Sequence, residues 1–265
     1  MAQAGDRQYH LQAEPGDVGA YVLLPGDPAR CRRIAERLEG PRQVAANREF
    51  TTFSGSLDGV PVSVTSTGIG GPSTAIAVEE LVKLGASTLV RVGTCGSLGA
   101  RLEAGDVVIV QAAARGEGTT SHYAPTGFPA VADLDVTLAL REAARAAGFR
   151  HRVGVVLTND AFYAEMEPES FPMEAEIRER WRAWARAGCL AAEMESATLL
   201  TVAAVRGVRA GAVLAVIDEA SAGLLGLPDA GGLPIDPAID TAVAGLRRLI
   251  AADRDRGGGA AVTRA

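Results

Sequence analysis

VPVSVTSTGIGGPSTAIAVEELVKLGASTLVRVGTCG, residues 60–96, places a helical pattern between two apolar, β-branched runs. The first run leads into a glycine-rich turn, and the helical pattern ends at Gly85, as helices often do at a glycine. Apolar runs of this length are typical of strands that are buried on both faces, as in α/β sheets. The stretch therefore predicts a strand, a helix and a second strand of an α/β protein.

The same alternation continues on both sides of this stretch. Further apolar runs occupy residues 20–27, 106–113, 153–160 and 211–218, and further helical patterns occupy residues 27–40, 134–149 and 194–207. Strands that alternate with helices predict an α/β fold with a central, mostly parallel or mixed sheet. Residues 164–180, rich in glutamate, predict a mobile flap or a helical excursion. We expect one domain over residues 1–251 and a disordered, glycine-rich tail at 252–265.

The composition limits the classes of function. The net charge of −6 comes without a basic block, so we expect no nucleic-acid partner. No apolar run approaches the length of a membrane span, so we expect no membrane partner. Three cysteines without C-x-x-C spacing and three scattered histidines predict neither disulfides nor a histidine metal site. A cytoplasmic protein is the expectation.

The glycine-rich turn STGIGGPS (66–73) has two interpretations. Backbone N–H groups at a helix N-terminus bind anions well, with Ser73 as a candidate N-cap. Alternatively, the glycines only allow a tight connection between strand and helix. The turn is a poor dinucleotide-binding motif, because Ser73 stands where the third glycine of that pattern belongs.

Polar and aromatic residues gather where the predicted strands end, which is where ligands bind in α/β sheets. In PGDPAR (25–30), the turn either presents backbone N–H groups and the Arg30 guanidinium to an anion or only places Asp27 as the N-cap of a helix. Phe162 follows another strand and either stacks on a base or belongs to the core. Asp218 ends a strand, where a carboxylate is unusual without a purpose.

A charged residue also lies inside a predicted strand. Arg91 interrupts an apolar run and needs a partner, either an anionic ligand bound together with Thr94 or an ion pair with Glu80. Glu193 and Glu195 precede an apolar helix. They either bind sugar hydroxyls and transfer protons or complement the helix dipole.

Taken together, these segments resemble the nucleoside phosphorylase family of the uridine phosphorylase and hexameric purine nucleoside phosphorylase type. The motifs that carry the resemblance, in the family's order over residues 8–250, are LPGDPAR, NREFTTFSG, STGIGGPSTAIAVEEL, RVGTCGS, HYAPTGFPAVAD, NDAFY and EMESATLL. The resemblance implies a three-layer α/β fold with a central mixed β-sheet flanked by helices. It also implies phosphorolysis of a ribonucleoside, with inorganic phosphate as co-substrate and no resident cofactor.

Matching positions imply a role for each residue of the site. The implied phosphate ligands are Gly26, Arg30, Arg91 and Thr94, with Arg48 from a neighbouring subunit. The implied ribose ligands are Met194, Glu195 and, across the same interface, His10. Phe162 and Met166 would contact the base. Glu49, Ile69 and Ser73 match a monovalent-cation site between subunits. A homo-oligomer built from dimers, a hexamer, is the implied assembly, and Asp218, Arg91 and Glu195 are the implied catalytic residues.

The base is predicted from a departure within the family. Uridine phosphorylases carry a Gln and an Arg soon after the Phe-Tyr pair, and this chain has Met166 and Pro168 there. Neither residue can hydrogen-bond the uracil edge. Asp218 matches the aspartate that protonates the purine ring nitrogen in purine phosphorylases, although no arginine follows it before Arg247. The expected substrate is a purine nucleoside, and the alternative is uridine or a modified nucleoside.

Two other functions fit the fold. A nucleosidase that uses water would lack the phosphate-binding arginines, and Arg30, Arg48 and Arg91 are all present. A non-catalytic nucleoside-binding module would bind ligand without turnover. The presence of Glu195 and Asp218 argues against it.

Overall fold

The computed structural model describes residues 7–98, 102–219 and 234–256, without the side chains of residues 218 and 219. The strands are β1 (Tyr21–Leu24), β2 (Glu39–Asn47), β3 (Phe50–Leu57), β4 (Val60–Thr65), β5 (Thr88–Ser97), β6 (Val107–Gly116), β7 (Ala130–Val131), β8 (His151–Asn159), β9 (Ala191–Glu193) and β10 (Arg209–Glu219). The helices are α1 (Pro28–Ala35), α2 (Gly71–Lys83), α3 (Leu134–Ala146), α4 (Phe162–Met166), α5 (Glu174–Arg186), α6 (Ser196–Arg206) and α7 (Asp236–Asp255).

The strands form one mixed sheet in the order β10-β6-β8-β9-β5-β1-β4-β3-β2, with β7 beside β6. Strands β4, β1, β5 and β10 are parallel neighbours, so their carboxyl ends meet at one edge. Strand β10 pairs with β5 as well as β6, which closes β10, β6, β8, β9 and β5 into a ring. All six strands predicted from apolar runs are present.

Helices cover both faces of the sheet, which confirms the three-layer α/β prediction. On one face, α2 and α6 contribute apolar side chains such as Val78 and Leu199 to a core with Leu89 of β5. On the other face, α1, α3 and α7 pack against side chains such as Val92 of the same strand. Successive strand residues thus supply opposite cores, as the period of a strand requires.

Two local predictions need correction, and one of the two alternatives for a third segment is confirmed. Helix α1 ends at Ala35 and not at Gly40, because Gly40 already belongs to β2, which pairs with β3. Ser73 is not the N-cap of α2. Gly70 takes that position, and the Ser73 hydroxyl donates to the backbone oxygen of Thr67. Residues 164–180 contain a helical excursion, since a 3-10 turn and the start of α5 follow α4.

The predicted disordered tail is wrong for residues 252–256, because α7 continues to Asp255. The side chain of Asp253 accepts hydrogen bonds from Tyr21 at 2.7 Å and from Arg209 at 2.5 Å, which ties the end of the helix to the sheet. The remainder of the predicted tail, residues 257–265, lies outside the described residues.

No helix in the described ranges has the length and hydropathy needed to cross a membrane. Cys31, Cys95 and Cys189 are all buried and unpaired, and burial raises the pKa of the Cys31 thiol to about 12.

Candidate active site

Loops at the carboxyl ends of β1 and β4 lie against each other. The Thr67 N–H donates to the Pro25 oxygen at 2.9 Å, and the Gly68 N–H donates to the Gly26 oxygen at 3.0 Å. A β-carbon on Gly26 would come within 3.2 Å of the Gly68 oxygen, so the two loops touch through their backbones. The predicted phosphate loop and the glycine-rich turn therefore form one wall of the site.

Arg91 lies on β5 beside this wall and is 5% exposed. Its Nε donates to Glu193 Oε2 at 3.0 Å, and a terminal nitrogen lies 2.5 Å from Glu195 Oε2. The predicted alternative, an Arg91–Glu80 ion pair, is wrong, because Glu80 instead accepts hydrogen bonds from His10 and Leu11. The buried cation is held by two carboxylates at the site itself.

The two carboxylates have different surroundings. Glu193 is completely enclosed and accepts hydrogen bonds from the backbone N–H groups of Glu195 and Ser196 and from the Thr158 hydroxyl. It therefore stabilises the N-terminus of α6, as the charge-complementing interpretation predicts. Glu195 contacts Arg91 and the Gly70 N–H. Glu195 remains the predicted ribose ligand.

The glycine-rich turn does bind an anion, although that anion belongs to the protein. The Gly70 N–H donates to Glu195 Oε1 at 2.6 Å. Gly70 has φ +86°, a region in which a side chain is strained. Both interpretations of the turn are thus partly right: glycine is needed for the backbone conformation, and the Gly70 N–H binds the Glu195 carboxylate.

Gly93 allows Arg91 to lie flat along β5. A β-carbon built on Gly93 would be 2.6 Å from Arg91 Cζ and 2.9 Å from a methyl group of Leu214. No side chain fits there unless the guanidinium moves. The sequence offered no sign of this role, because the contact depends on the direction of a side chain two residues away on the same face of the strand.

Arg30 supplies a second cation close to Arg91. Asp27 caps α1 by accepting from the Ala29 N–H at 2.8 Å, and lies 3.8 Å from Arg30 Nε. That Nε is buried and has no hydrogen-bond partner among the described residues. Burial lowers the pKa of Arg30, and the charge of Arg91 lowers it further, while Asp27 and Glu195 oppose the shift. A buried, unpartnered donor on a cation that has a second cation nearby favours an anion.

The charges of the cluster are interdependent. Burial raises the pKa of Glu195 above its usual value of 4.5, Glu193 adds to the increase, and Arg91 and the Gly70 N–H reduce it. Burial opposes the charge of Arg91, but Glu195 and Glu193 outweigh it and raise the pKa of Arg91. Arg91 therefore stays charged, and Glu195 gains a proton more readily than an exposed glutamate.

The remaining predicted phosphate and ribose residues lie on separate elements of the fold. Thr94 is partly buried on β5 and pairs with Ala215 of β10. Met194 is partly buried between the two glutamates. His10 Nδ1 lies 2.7 Å from Glu80 Oε1 on α2. Arg48 is exposed in the turn between β2 and β3, with φ +53°.

The residues that match a cation site lie beside Gly68. A β-carbon on Gly68 would be 2.6 Å from both Glu49 Cγ and Ser73 Oγ, so these two side chains flank one backbone position. Ile69 is 78% exposed. The Glu49 carboxylate and the Ser73 hydroxyl are oxygen ligands of the kind that hard cations prefer, and the cation remains a prediction.

The predicted base-binding residues lie on and after α4. Phe162 is 41% exposed and packs edge-on against Tyr163, with ring centroids 5.4 Å apart. Met166 ends α4, and Pro168 is buried in the next turn. The backbone of Asp218 pairs with Gly96 after an irregularity in β10, while its side chain lies outside the described atoms.

Thr158 was not predicted as a neighbour of the two glutamates. It lies on β8, yet its hydroxyl donates to Glu193 at 2.5 Å and accepts from the Ala197 N–H at 2.9 Å. A threonine in a strand carries no signal for such a contact, since threonine is common in strands.

Comparison with known proteins assigns the family. A model of the phosphorylase superfamily matches residues 20–231. A uridine phosphorylase of Treponema pallidum is 48% identical over 256 residues, which cover 97% of this chain and 99% of that protein. A uridine phosphorylase of Escherichia coli is 44% identical over 79% of this chain and 85% of its own length. A guanosine phosphorylase of Halorubrum lacusprofundi is 42% identical over 82% of this chain and 86% of its own length. The chain is a member of the phosphorylase superfamily and an enzyme of the nucleoside phosphorylase family.

Proposed function

We propose that this protein is a uridine phosphorylase, which converts uridine and inorganic phosphate into uracil and ribose 1-phosphate. The observation that carries the proposal is the unpartnered, buried Nε of Arg30 close to Arg91 and Glu195. A cationic site for an anion, next to a carboxylate suited to hydroxyl groups, fits phosphate and ribose side by side. Two uridine phosphorylases at 48% and 44% identity support the choice of base.

In the proposed site, Arg30 and Arg91 bind the phosphate together with Thr94 and the backbone at Gly26. Arginine suits this role because its planar fork matches the geometry of phosphate oxygens. Within the described part of the chain, Arg91 pairs with carboxylates through Nε and one terminal nitrogen only. Its other terminal nitrogen is therefore the one that we assign to phosphate.

The proposed reaction passes through an oxocarbenium-like transition state. A phosphate oxygen forms the new bond to C1′ while the bond between C1′ and the base nitrogen breaks. The electron pair leaves with the base, which then takes up a proton. Phosphate held below C1′ supplies both the nucleophile and a negative charge that stabilises the positive ring. Glu195 accepts hydrogen bonds from the 2′- and 3′-hydroxyls and Met194 packs against the ribose.

The relatives do not confirm the purine preference expected from Asp218, Met166 and Pro168. They favour the alternative, uridine. If the proposal is right, uracil is bound by groups other than a Gln–Arg pair, with Phe162 and Met166 as the apolar part of its pocket. A purine nucleoside is the second candidate. The guanosine phosphorylase at 42% identity favours this candidate. So do Met166 and Pro168, which stand where uridine phosphorylases carry a Gln and an Arg.

The test is release of base from uridine, guanosine, inosine and adenosine, with and without phosphate, followed by chromatography. We expect phosphate-dependent release of uracil, loss of that release in Arg91→Ala, and retention in Arg206→Ala. Arg206 is a matched control because it is a surface arginine paired with Glu79. Phosphate-dependent release of a purine alone would replace uridine with the second candidate. Release without phosphate would identify a nucleosidase.

We further propose that the site is shared between subunits of a homo-oligomer built from dimers, with Arg48 and His10 donated across the interface and a hexamer as the full assembly. Exposed Arg48 and exposed Ile69 beside the site support an interface there. Arg48→Ala and Arg91→Ala homo-oligomers should each be inactive. When the two are unfolded and refolded together, mixed dimers contain one intact site, so about half of the activity per mixed dimer should return. No recovery would contradict a shared site.

A further inference from the structure

We infer that Glu193 is a positioning residue that fixes the orientation of Arg91 and of the Glu195 backbone for phosphate and ribose binding, with Thr158 holding Glu193 in turn. The inference rests on the proposed function and extends it to two residues without a contact to substrate. Glu193 lies on β9, Arg91 on β5 and Thr158 on β8, so the network joins neighbouring strands of the sheet.

The side chain of Glu193 has no exposed surface. One carboxylate oxygen, Oε2, accepts from Arg91 Nε at 3.0 Å and from the Glu195 N–H at 3.0 Å. The other oxygen, Oε1, accepts from the Thr158 hydroxyl at 2.5 Å. The Ser196 N–H lies 3.0 Å from Oε1 and 2.9 Å from Oε2. Donors therefore surround both oxygens.

This surrounding requires a carboxylate and not an amide. A glutamine offers one acceptor oxygen and an NH₂ group that can only donate. At the Oε2 position the NH₂ group faces two groups that can only donate, Arg91 Nε–H and the Glu195 N–H. At the Oε1 position the Thr158 hydroxyl must turn to accept from it, and its own proton then loses its acceptor. In a closed site the unpaired groups find no water, and the network must rearrange.

The consequence for Arg91 follows from its two carboxylate partners. Glu193 holds Nε and thereby fixes the plane of the guanidinium, while Glu195 contacts one terminal nitrogen. Without the first contact, only the pair with Glu195 remains, and the guanidinium can rotate about it. Both groups would then leave the positions in which we place phosphate and ribose.

Thr158 fixes Glu193 from the other side. Its hydroxyl donates to Glu193 and at the same time accepts from the Ala197 N–H, so one side chain joins β8, β9 and the first turn of α6. Serine can make both hydrogen bonds, while valine has the shape of threonine and can make neither. The pair of variants therefore separates the hydroxyl from the volume of the side chain.

The experiment compares steady-state kinetics of wild type, Glu193→Gln and the control Glu117→Gln. Glu117 is another buried carboxylate, which accepts from the Thr120 N–H at 2.9 Å and has no contact with Arg91. In Glu193→Gln we expect the KM for phosphate to rise about 10–100-fold, the range typical of a misplaced binding group, and to rise more than the KM for the nucleoside. Glu117→Gln should leave both close to wild type.

A second readout is the acidic limb of the kcat/KM profile. Glu195 faces Arg91 of β5, Glu193 of β9 and Arg30 of α1. Removing the charge of Glu193 lowers the pKa of Glu195, so the acidic limb should move to lower pH in Glu193→Gln. A loss of packing alone would leave that limb in place.

Thr158→Val and Thr158→Ser keep the inference testable if Glu193→Gln does not fold. We expect a raised phosphate KM in the valine variant and a return towards wild type in the serine variant. Phosphate KM values within about twofold of wild type in both Glu193→Gln and Thr158→Val would overturn the positioning role. Calorimetric titration with inorganic phosphate gives the same comparison without turnover. Absence of phosphate-dependent cleavage by wild type would overturn the proposed function instead.

Discussion

Arg91→Ala gives the most demanding test of the charge cluster, because one substitution leaves two buried carboxylates without their cation. Arg91 is 5% exposed, and its partners Glu193 and Glu195 are buried as well. Removing one partner of a buried ion pair costs about 3–5 kcal/mol of folding free energy. At roughly 2–4 °C per kcal/mol for a chain of this size, the melting temperature should fall by about 6–20 °C.

The loss should depend on pH, and its sign follows from Glu195. Burial already raises the pKa of Glu195, and Arg91 is the group that lowers it most. Without Arg91 the folded-state pKa rises further above the unfolded value. The folded protein then holds a proton that the unfolded chain has released, so stability falls as pH rises through the folded pKa. The deficit of Arg91→Ala relative to wild type should thus be larger at about pH 8 than at about pH 5.

The assay is thermal unfolding of wild type, Arg91→Ala and Arg91→Lys across this pH range, with phosphate-dependent turnover measured on the same samples. The lysine variant keeps the charge but lacks the planar fork, so it should retain more stability than the alanine variant and still lose phosphate affinity. A stability deficit below about 1 kcal/mol in Arg91→Ala, or one that does not change with pH, would refute the coupling of Arg91 to two ionisable carboxylates.

Other substitutions test separate parts of the structure. Gly93→Ala places a β-carbon 2.6 Å from Arg91 Cζ, so we expect a higher phosphate KM in steady-state kinetics. Denaturant unfolding should show an overpacking cost of about 1–3 kcal/mol in folding free energy. An unchanged phosphate KM would contradict the contact. Burial opposes the charge of Asp253, but hydrogen bonds from Arg209 and Tyr21 outweigh it and lower the pKa of Asp253 below 3.8. The ionised Asp253 therefore stabilises the fold at a pH above 3.8, and this stabilisation is lost as the pH falls through the folded-state pKa. Asp253→Asn should accordingly lower the melting temperature near neutral pH and converge with wild type in acid. Asp218→Asn should impair cleavage of purine nucleosides more than cleavage of uridine, and equal losses would remove Asp218 from the role of proton donor to a purine.

Some features of the site could be predicted from the sequence, such as the need of Arg91 for a partner, and others could not, such as which carboxylate pairs with it. Arg91 was predictable because a charge inside an apolar strand is conspicuous, but its partners were not. Glu80 was the predicted carboxylate partner, and the pairing of β5 with β9 instead brings Glu193 to Arg91. Glu80 lies on α2, where it accepts from the backbone of His10 and Leu11.

The glycine-rich turn likewise has a predictable local conformation and a partner that the sequence does not predict. Its composition predicts backbone conformations that other residues avoid, and positive φ at Gly68 and Gly70 confirms this. Composition cannot tell which anion the Gly70 N–H binds. Glu195 is 125 residues away in the chain, and the fold alone brings it within hydrogen-bond distance of Gly70.

The sequence by itself determined the α/β class, the six strands with apolar runs and the collinear motifs that identify the family, because these depend on local patterns and on order along the chain. The tertiary structure decided which carboxylate holds Arg91, that Gly93 leaves room for its guanidinium and that Thr158 belongs to the network. Each of these contacts depends on strand register, helix placement or side-chain direction. The physical reason is that a buried charge is stabilised by whatever donors and acceptors the fold brings within about 3 Å, and those come from distant parts of the chain.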